Sequence, residues 1–121
     1  MRNSLLYLTC AMGMTGLTQS WAQTDFPSRP IRLVVSSAAG GTGDTMARAV
    51  SRHIERGLNG SIVVDNRPGA SGIIAAQIVA RAEPNGYTLL HTSSQLVTNV
   101  ATGRKLPYDV NKDFIPVGNI A

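Results

Sequence analysis

Cysteine is nearly absent: Cys10 is the only one, so the chain can form no internal disulfide and offers no cysteine-rich metal site. Aromatic residues are also scarce, at three tyrosines, two phenylalanines and one tryptophan, and they are spread out, which leaves no platform for stacking bases. The formal charge of +4 comes from scattered positions. It therefore gives no basic patch of the kind that holds nucleic acid, and no nucleic-acid partner is expected. No Gly-Lys-Ser/Thr triplet occurs, which excludes a P-loop, and Gly41-Thr42-Gly43 is followed by the bulky Met46 where a dinucleotide fingerprint needs glycine or alanine. The two histidines, His53 and His91, fall on different predicted elements, so no metal site is expected.

The first residues carry a different signal. Arg2 is a positive start, Leu5 to Leu17 is apolar, and Ser20-Trp21-Ala22 places small residues at −3 and −1 of a cleavage point before Gln23. The expectation is a signal peptide over 1–22, cleaved after Ala22, and an exported, periplasmic chain over 23–121. A permanent N-terminal anchor is the alternative, but the apolar run is interrupted by Thr9, Gly13, Thr15 and Gly16 and falls short of the roughly 18 residues of a membrane span. Removing Arg2, the only charged residue of 1–22, takes the formal charge from +4 to +3. Cys10 would leave with the same segment.

What is present is a repeated strand-loop-helix unit. Ile31 to Val35 is an apolar run that predicts a buried strand, and Pro30 biases Arg29 toward extended backbone just before it. A helix is expected from near Asp44 or Thr45. Its apolar face is Ala47, Val50, Ile54 and Leu58, while Arg48, Arg52 and Arg56 share a solvated side. Between strand and helix lie Ser36, Ser37, Ala38, Ala39, Gly40, Gly41, Thr42 and Gly43, none larger than threonine. Gly57, Asn59 and Gly60 stop the helix, and Asn59-Gly60-Ser61, although a glycosylation sequon, has the composition of a turn. A second strand, Ser61 to Val64, leads to another small-residue turn, Pro68 to Gly72, and to a helix over Ile73 to Ala82. Glu83-Pro84-Asn85-Gly86 breaks that helix, and a third strand, Tyr87 to His91, ends in Thr92, Ser93 and Ser94. Further on, a short helix over Gln95 to Thr102, a turn at Leu106 to Asp109 and a strand start over Ile115 to Ala121 are expected.

The βαβαβ order predicts an α/β fold with a parallel sheet and right-handed crossovers, in three layers. Its strand ends share one edge, so the three small-residue loops converge there. Helix N-termini at that edge present free N–H groups and a partial positive charge of roughly half a unit, a seat for an anion. Asp44 is expected as the N-cap of the first helix, with direct ligand contact as its alternative. Ser71 and Ser93 have no histidine at a spacing that suggests a nucleophile, so no catalytic residue is assigned and an enzyme is not expected.

Five motifs occur in order: Pro-Ser-Arg-Pro-Ile-Arg-Leu-Val-Val at 27–35, the glycine-rich turn ending in Asp44, Val-Asp-Asn-Arg-Pro-Gly-Ala-Ser-Gly at 64–72, Pro-Asn-Gly-Tyr-Thr-Leu-Leu at 84–90, and Leu-Pro-Tyr-Asp with Lys-Asp-Phe at 106–114. In this order they resemble the Bug family of periplasmic solute-binding proteins, the receptors of tripartite tricarboxylate transporters. The resemblance implies a two-lobed clamshell that captures small organic carboxylates for a membrane permease, working as a monomer and without a cofactor. It also implies a ligand site on the first two loops, partly through ordered waters. Together with the loop reading, the candidate ligand-binding residues are Ser37, Ala38, Ala39, Gly40, Gly41, Thr42, Gly43, Asp44, Pro68, Gly69, Ala70, Ser71, Gly72, Thr92 and Ser93. The family usually carries proline and a bulky residue in the first loop; Ser36 to Ala39 stand there instead. By this resemblance residues 23–121 correspond to the N-terminal part of lobe one, an incomplete fragment without the second lobe. The alternatives are a small α/β nucleotide- or anion-binding enzyme domain, and a truncated gene product without function.

Overall fold

A central strand of a parallel sheet is covered on both faces, and the sequence Ile-Arg-Leu-Val-Val has the apolar density this needs. In the computed structural model, which describes residues 26–120, it forms β1, Ile31–Val35, with Ile31, Val34 and Val35 buried. The segment predicted as a signal peptide lies outside the described residues. The other elements are α1 (Thr42–Leu58), β2 (Ile62–Asn66), a single turn at Ala70–Gly72, α2 (Ile73–Ala80), β3 (Thr88–His91) and α3 (Gln95–Ala101). The sheet order is β2-β1-β3, all parallel, with Ile31 opposite Ile62 and Arg32 opposite Thr88. The three-layer α/β expectation holds. β2 and β3 flank β1 on opposite sides, so right-handed crossovers place α1 and α2 on opposite faces.

The strand β2 runs two residues further than Val64. Asp65 and Asn66 continue the ladder opposite Val34 and Val35. Their polar side chains fall outside the apolar run that marked the strand, but Asp65 accepts hydrogen bonds from Nε of Arg32 and of Arg67, each at 2.9 Å. Those guanidiniums, Arg32 first, hold its carboxyl below the usual range. A charge so paired can end a strand without breaking it.

The α1 face is also adjusted. Ala47 is buried, Val50 and Ile54 are half-buried, and Leu58, expected on the same face, is exposed. The reason is length: 17 helical residues span about 25 Å, whereas a five-residue strand spans about 17 Å, so the last turn overhangs the sheet. Asn59 then takes the left-handed conformation (φ 49°) that returns the chain to β2. Ser51 fills the buried face instead, its hydroxyl satisfied by donating to the Ala47 carbonyl at 2.8 Å.

The strand expected from Ile115 is absent over 115–120. Ile115 and Val117 are 86% and 85% exposed, Pro116 offers no N–H to a ladder, and no neighbouring strand pairs with the segment among the described residues. At the turn expected over Leu106 to Asp109 the chain only bends, at 107–108; the hydrogen-bonded turn follows it, with the Asp113 N–H donating to the Asp109 carbonyl at 2.9 Å, and Tyr108 is buried edge-on against Phe114 at a centroid distance of 5.5 Å.

Val34 and Val35 are the largest fully buried side chains. Val34→Ala should therefore lower the urea midpoint, with a loss of about 1.5–3 kcal/mol. An unchanged midpoint would show that β1 is not the centre of the core.

Candidate functional site

The three loops that follow β1, β2 and β3 leave the same sheet edge, and contacts between them show that they meet. A Cβ placed on Gly72, in the second loop, would lie 3.4 Å from Cβ of Ser36 in the first, and 3.6 Å from both Oγ1 of Thr92 and Oε1 of Gln95 in the third. The Ser36 hydroxyl also donates to Oγ1 of Thr92 at 3.2 Å. Since β1 lies between β2 and β3, this is the switch point at which α/β sheets open a crevice.

In the first loop the helix starts earlier than expected. Gly41, not Asp44, is the N-cap residue, and no side chain caps the helix. Asp44 stands at the third helical position and is 4% exposed. Its carboxylate accepts from Nε of Arg48 at 3.0 Å, from the Gly40 N–H at 2.9 Å and from Nδ2 of Asn66 at 3.0 Å. The Arg48 bond, the Gly40 bond and the Asn66 bond, against the opposing effect of burial, hold its pKa at about 2 instead of 3.8. Asn66 donates to the Ser37 carbonyl as well, at 3.1 Å. The acid therefore ties the loop to α1 and β2. The N–H groups of Thr42 and Gly43 make no hydrogen bond among the described residues and remain open donors.

Gly43 leaves room for Ser37, because a Cβ would fall 2.6 Å from its Oγ and 3.2 Å from its Cβ and would have to push the hydroxyl aside. That hydroxyl is itself buried without a hydrogen-bond partner.

The second loop is strained. Gly69, Ala70, Ser71 and Gly72 have φ of 123°, 47°, 55° and 81°, four successive residues in the left-handed half of backbone space. For the two residues with a Cβ this costs roughly 1–2 kcal/mol each. The turn closes through the Gly72 N–H donating to the Gly69 carbonyl at 3.0 Å, and Nδ2 of Asn99 donates to the Ser71 carbonyl at 2.9 Å. In the third loop Ser94 is the N-cap residue of α3, again with no side-chain cap, and the Gln95 N–H points to Oγ of Ser93 at 3.4 Å.

Of the sequence-predicted residues, Gly72 and Thr92 touch at the centre, and Ser37 and Gly43 pack together beside them. Ala38, Ala39, Gly40, Thr42, Pro68, Gly69, Ala70, Ser71 and Ser93 are exposed, and Gly41 is half-buried. The sequence reading missed Ser36, Asn66, His91, Gln95 and Asn99. His91, whose Cε1 lies 3.8 Å from the Cβ position of Gly43, closes the first loop from the end of β3. A usable signal existed for Asn66, an amide side chain directly after Val-Val-Asp, where a strand end meets the loop edge.

Asp44 gives a pH prediction. Its folded pKa of about 2 lies below 3.8, so its contribution to stability is full above pH 3.8 and is lost as pH falls toward 2. Urea midpoints measured across that window should fall for the native chain and change less for Asp44→Asn. Parallel curves for the two would refute the tether.

Comparison with known proteins follows the same outline. The sequence model described as "Tripartite tricarboxylate transporter family receptor" matches residues 46–121. A Bordetella bronchiseptica protein of the UPF0065 group is 50% identical over 100 residues, covering 82% of this chain and 30% of that protein. Among solved structures, MatC of Rhodopseudomonas palustris with bound malate is 38% identical with a TM-score of 0.66, over 76% of this chain and 32% of its own. A second R. palustris protein, solved with adipate, is 42% identical with a TM-score of 0.53, over 55% and 22%. The chain thus spans about 30% of the length of the curated relative. With a family match over more than half its length and the same parallel sheet, this chain belongs to the tripartite tricarboxylate transporter receptor family.

Proposed function

We propose that the chain supplies the donor rim of an exported solute receptor that binds small organic carboxylates for a membrane permease. The observation that carries this reading is the set of uncapped helix starts at one sheet edge: open N–H donors of Thr42 and Gly43, the left-handed turn Gly69 to Gly72, and the Thr92–Ser94 loop beside it. A carboxylate is small, anionic and rich in acceptor lone pairs, which suits such donors. Relatives solved with malate and with adipate support the same ligand class.

In this proposal the contacts are the open amides of Ala39, Thr42 and Gly43 and of Gly69, Ala70 and Ser71, with hydroxyls of Thr42, Ser71, Thr92 and Ser93, while the N–H groups of Gly40, Gly41 and Gly72 are spent inside the loops. Ser37, Ala38 and Pro68 shape the loops. Asp44 acts as the internal tie and not as a contact, because its oxygens already accept three partners. The proposal further takes residues 1–22 as a signal peptide cleaved after Ala22, and the working protein as a periplasmic monomer.

Such a rim meets a ligand from one side, so the chain alone should bind weakly, near ~1 mM. Titration of the ¹⁵N-labelled chain with malate, adipate and citrate should shift the amides of 39–43 and 69–72 together. ATP and NAD should leave them in place. A folded chain whose rim amides ignore all three acids, or respond to nucleotides only, overturns the reading.

A further inference from the structure

The second loop holds four residues in left-handed conformation, two of them with side chains that disfavour it, and one buried side chain outside the loop reaches it. That side chain is Asn99, midway along α3 and 5% exposed. Its Nδ2 donates to the Ser71 carbonyl at 2.9 Å, while its Oδ1 accepts from Nη1 of Arg104 at 3.4 Å. The same helix begins at Gln95, whose Oε1 lies 3.6 Å from the Cβ position of Gly72. The helix launched by the third loop thus grips the second.

We infer that Asn99 is a positioning residue: its amide holds the Ser71 peptide in the left-handed turn and so presents the Ala70 and Ser71 N–H groups to an anionic ligand. The inference rests on the carboxylate-rim reading for the identity of the ligand, but not for the state of the turn. A buried asparagine is costly unless paired, and here the pairing is spent on a carbonyl of a strained segment and not on the body of α3. Ser71 alone needs neither a loop of this shape nor a partner 28 residues away. A turn that must already be bent when the ligand arrives needs both, since ordering it on binding would weaken affinity.

The test uses Asn99→Ala and Asn99→Asp in the whole chain, the second keeping the volume and the Arg104 acceptor while losing the donor. One-bond Cα–Hα couplings of Ala70 and Ser71 report the sign of φ without ligand. Expected are native-like circular dichroism, couplings at 70 and 71 that move away from the left-handed value in both variants, and malate binding weakened about fivefold or more. Adding Ala70→Gly, which removes the steric cost of the turn, should recover part of that loss, whereas a residue that merely stabilises α3 would gain nothing from it. Unchanged couplings in a folded variant overturn the inference, as does unfolding of both variants, because a clamp on one turn leaves the sheet intact. If the native chain binds no carboxylate, the functional reading falls, and the couplings still decide whether Asn99 holds the turn.

Discussion

Parallel pairing of β1 with both neighbours is the constraint from which the rest follows. Parallel strands cannot be joined by a tight hairpin, so each must hand the chain to a helix that carries it back to the starting edge. Every outgoing loop therefore leaves one edge and opens a helix there. With β1 in the middle of the order β2-β1-β3, the helices diverge to the two faces and leave a gap above the central strand. The convergence of Ser36, Gly72 and Thr92 is thus a consequence of topology before it is a property of the loops.

A rim of this kind has to solve a second problem, because helix starts are normally closed by their own side chains. Asp44 shows how the chain avoids that. As an N-cap it would have consumed N–H groups at the start of α1. Placed at the third helical position, it still gains from the positive end of the helix dipole, but reaches back to Gly40 and across to Asn66. The loop is fixed and Thr42 and Gly43 stay open. Arg48 shares the carboxylate, so the acid adds no free negative charge beside the donors.

The framework was legible where local signals and tertiary demands agree. Ile31–Val35 appears as read because an apolar run after Pro30 admits few alternatives, and Ile73 and Gln95 begin their helices as expected. The misreadings share a cause. The second strand was read only to Val64 because the partner that lets Asp65 continue it, Arg32, lies 33 residues earlier; Leu58 looked buried because periodicity carries no information about where the sheet ends. Ile115 looked like a strand because β-propensity does not supply a neighbour to pair with. In the site, small-residue composition located the loops but not their ties. Asn66 and Asn99 act on carbonyls 29 and 28 residues away, a separation at which no spacing rule applies.

These ties carry weight because the core is small. Val34 and Val35 are the largest side chains fully withdrawn from water, joined by Ala47, Ala75 and Ala76, and α2, with eight residues, packs on β1 and β3 while Val63 of β2 stays 54% exposed. Strain of roughly 1–2 kcal/mol at each of Ala70 and Ser71 is comparable with what burying one valine contributes. Packing alone leaves little margin to hold such a turn. A hydrogen bond to the Ser71 carbonyl acts on the strained peptide itself, and burial of the Asn99 amide makes breaking that bond expensive. The polar groups under the rim, Asp44 and Asn66 below the first loop and Asn99 below the second, accordingly hold what packing among the described residues does not.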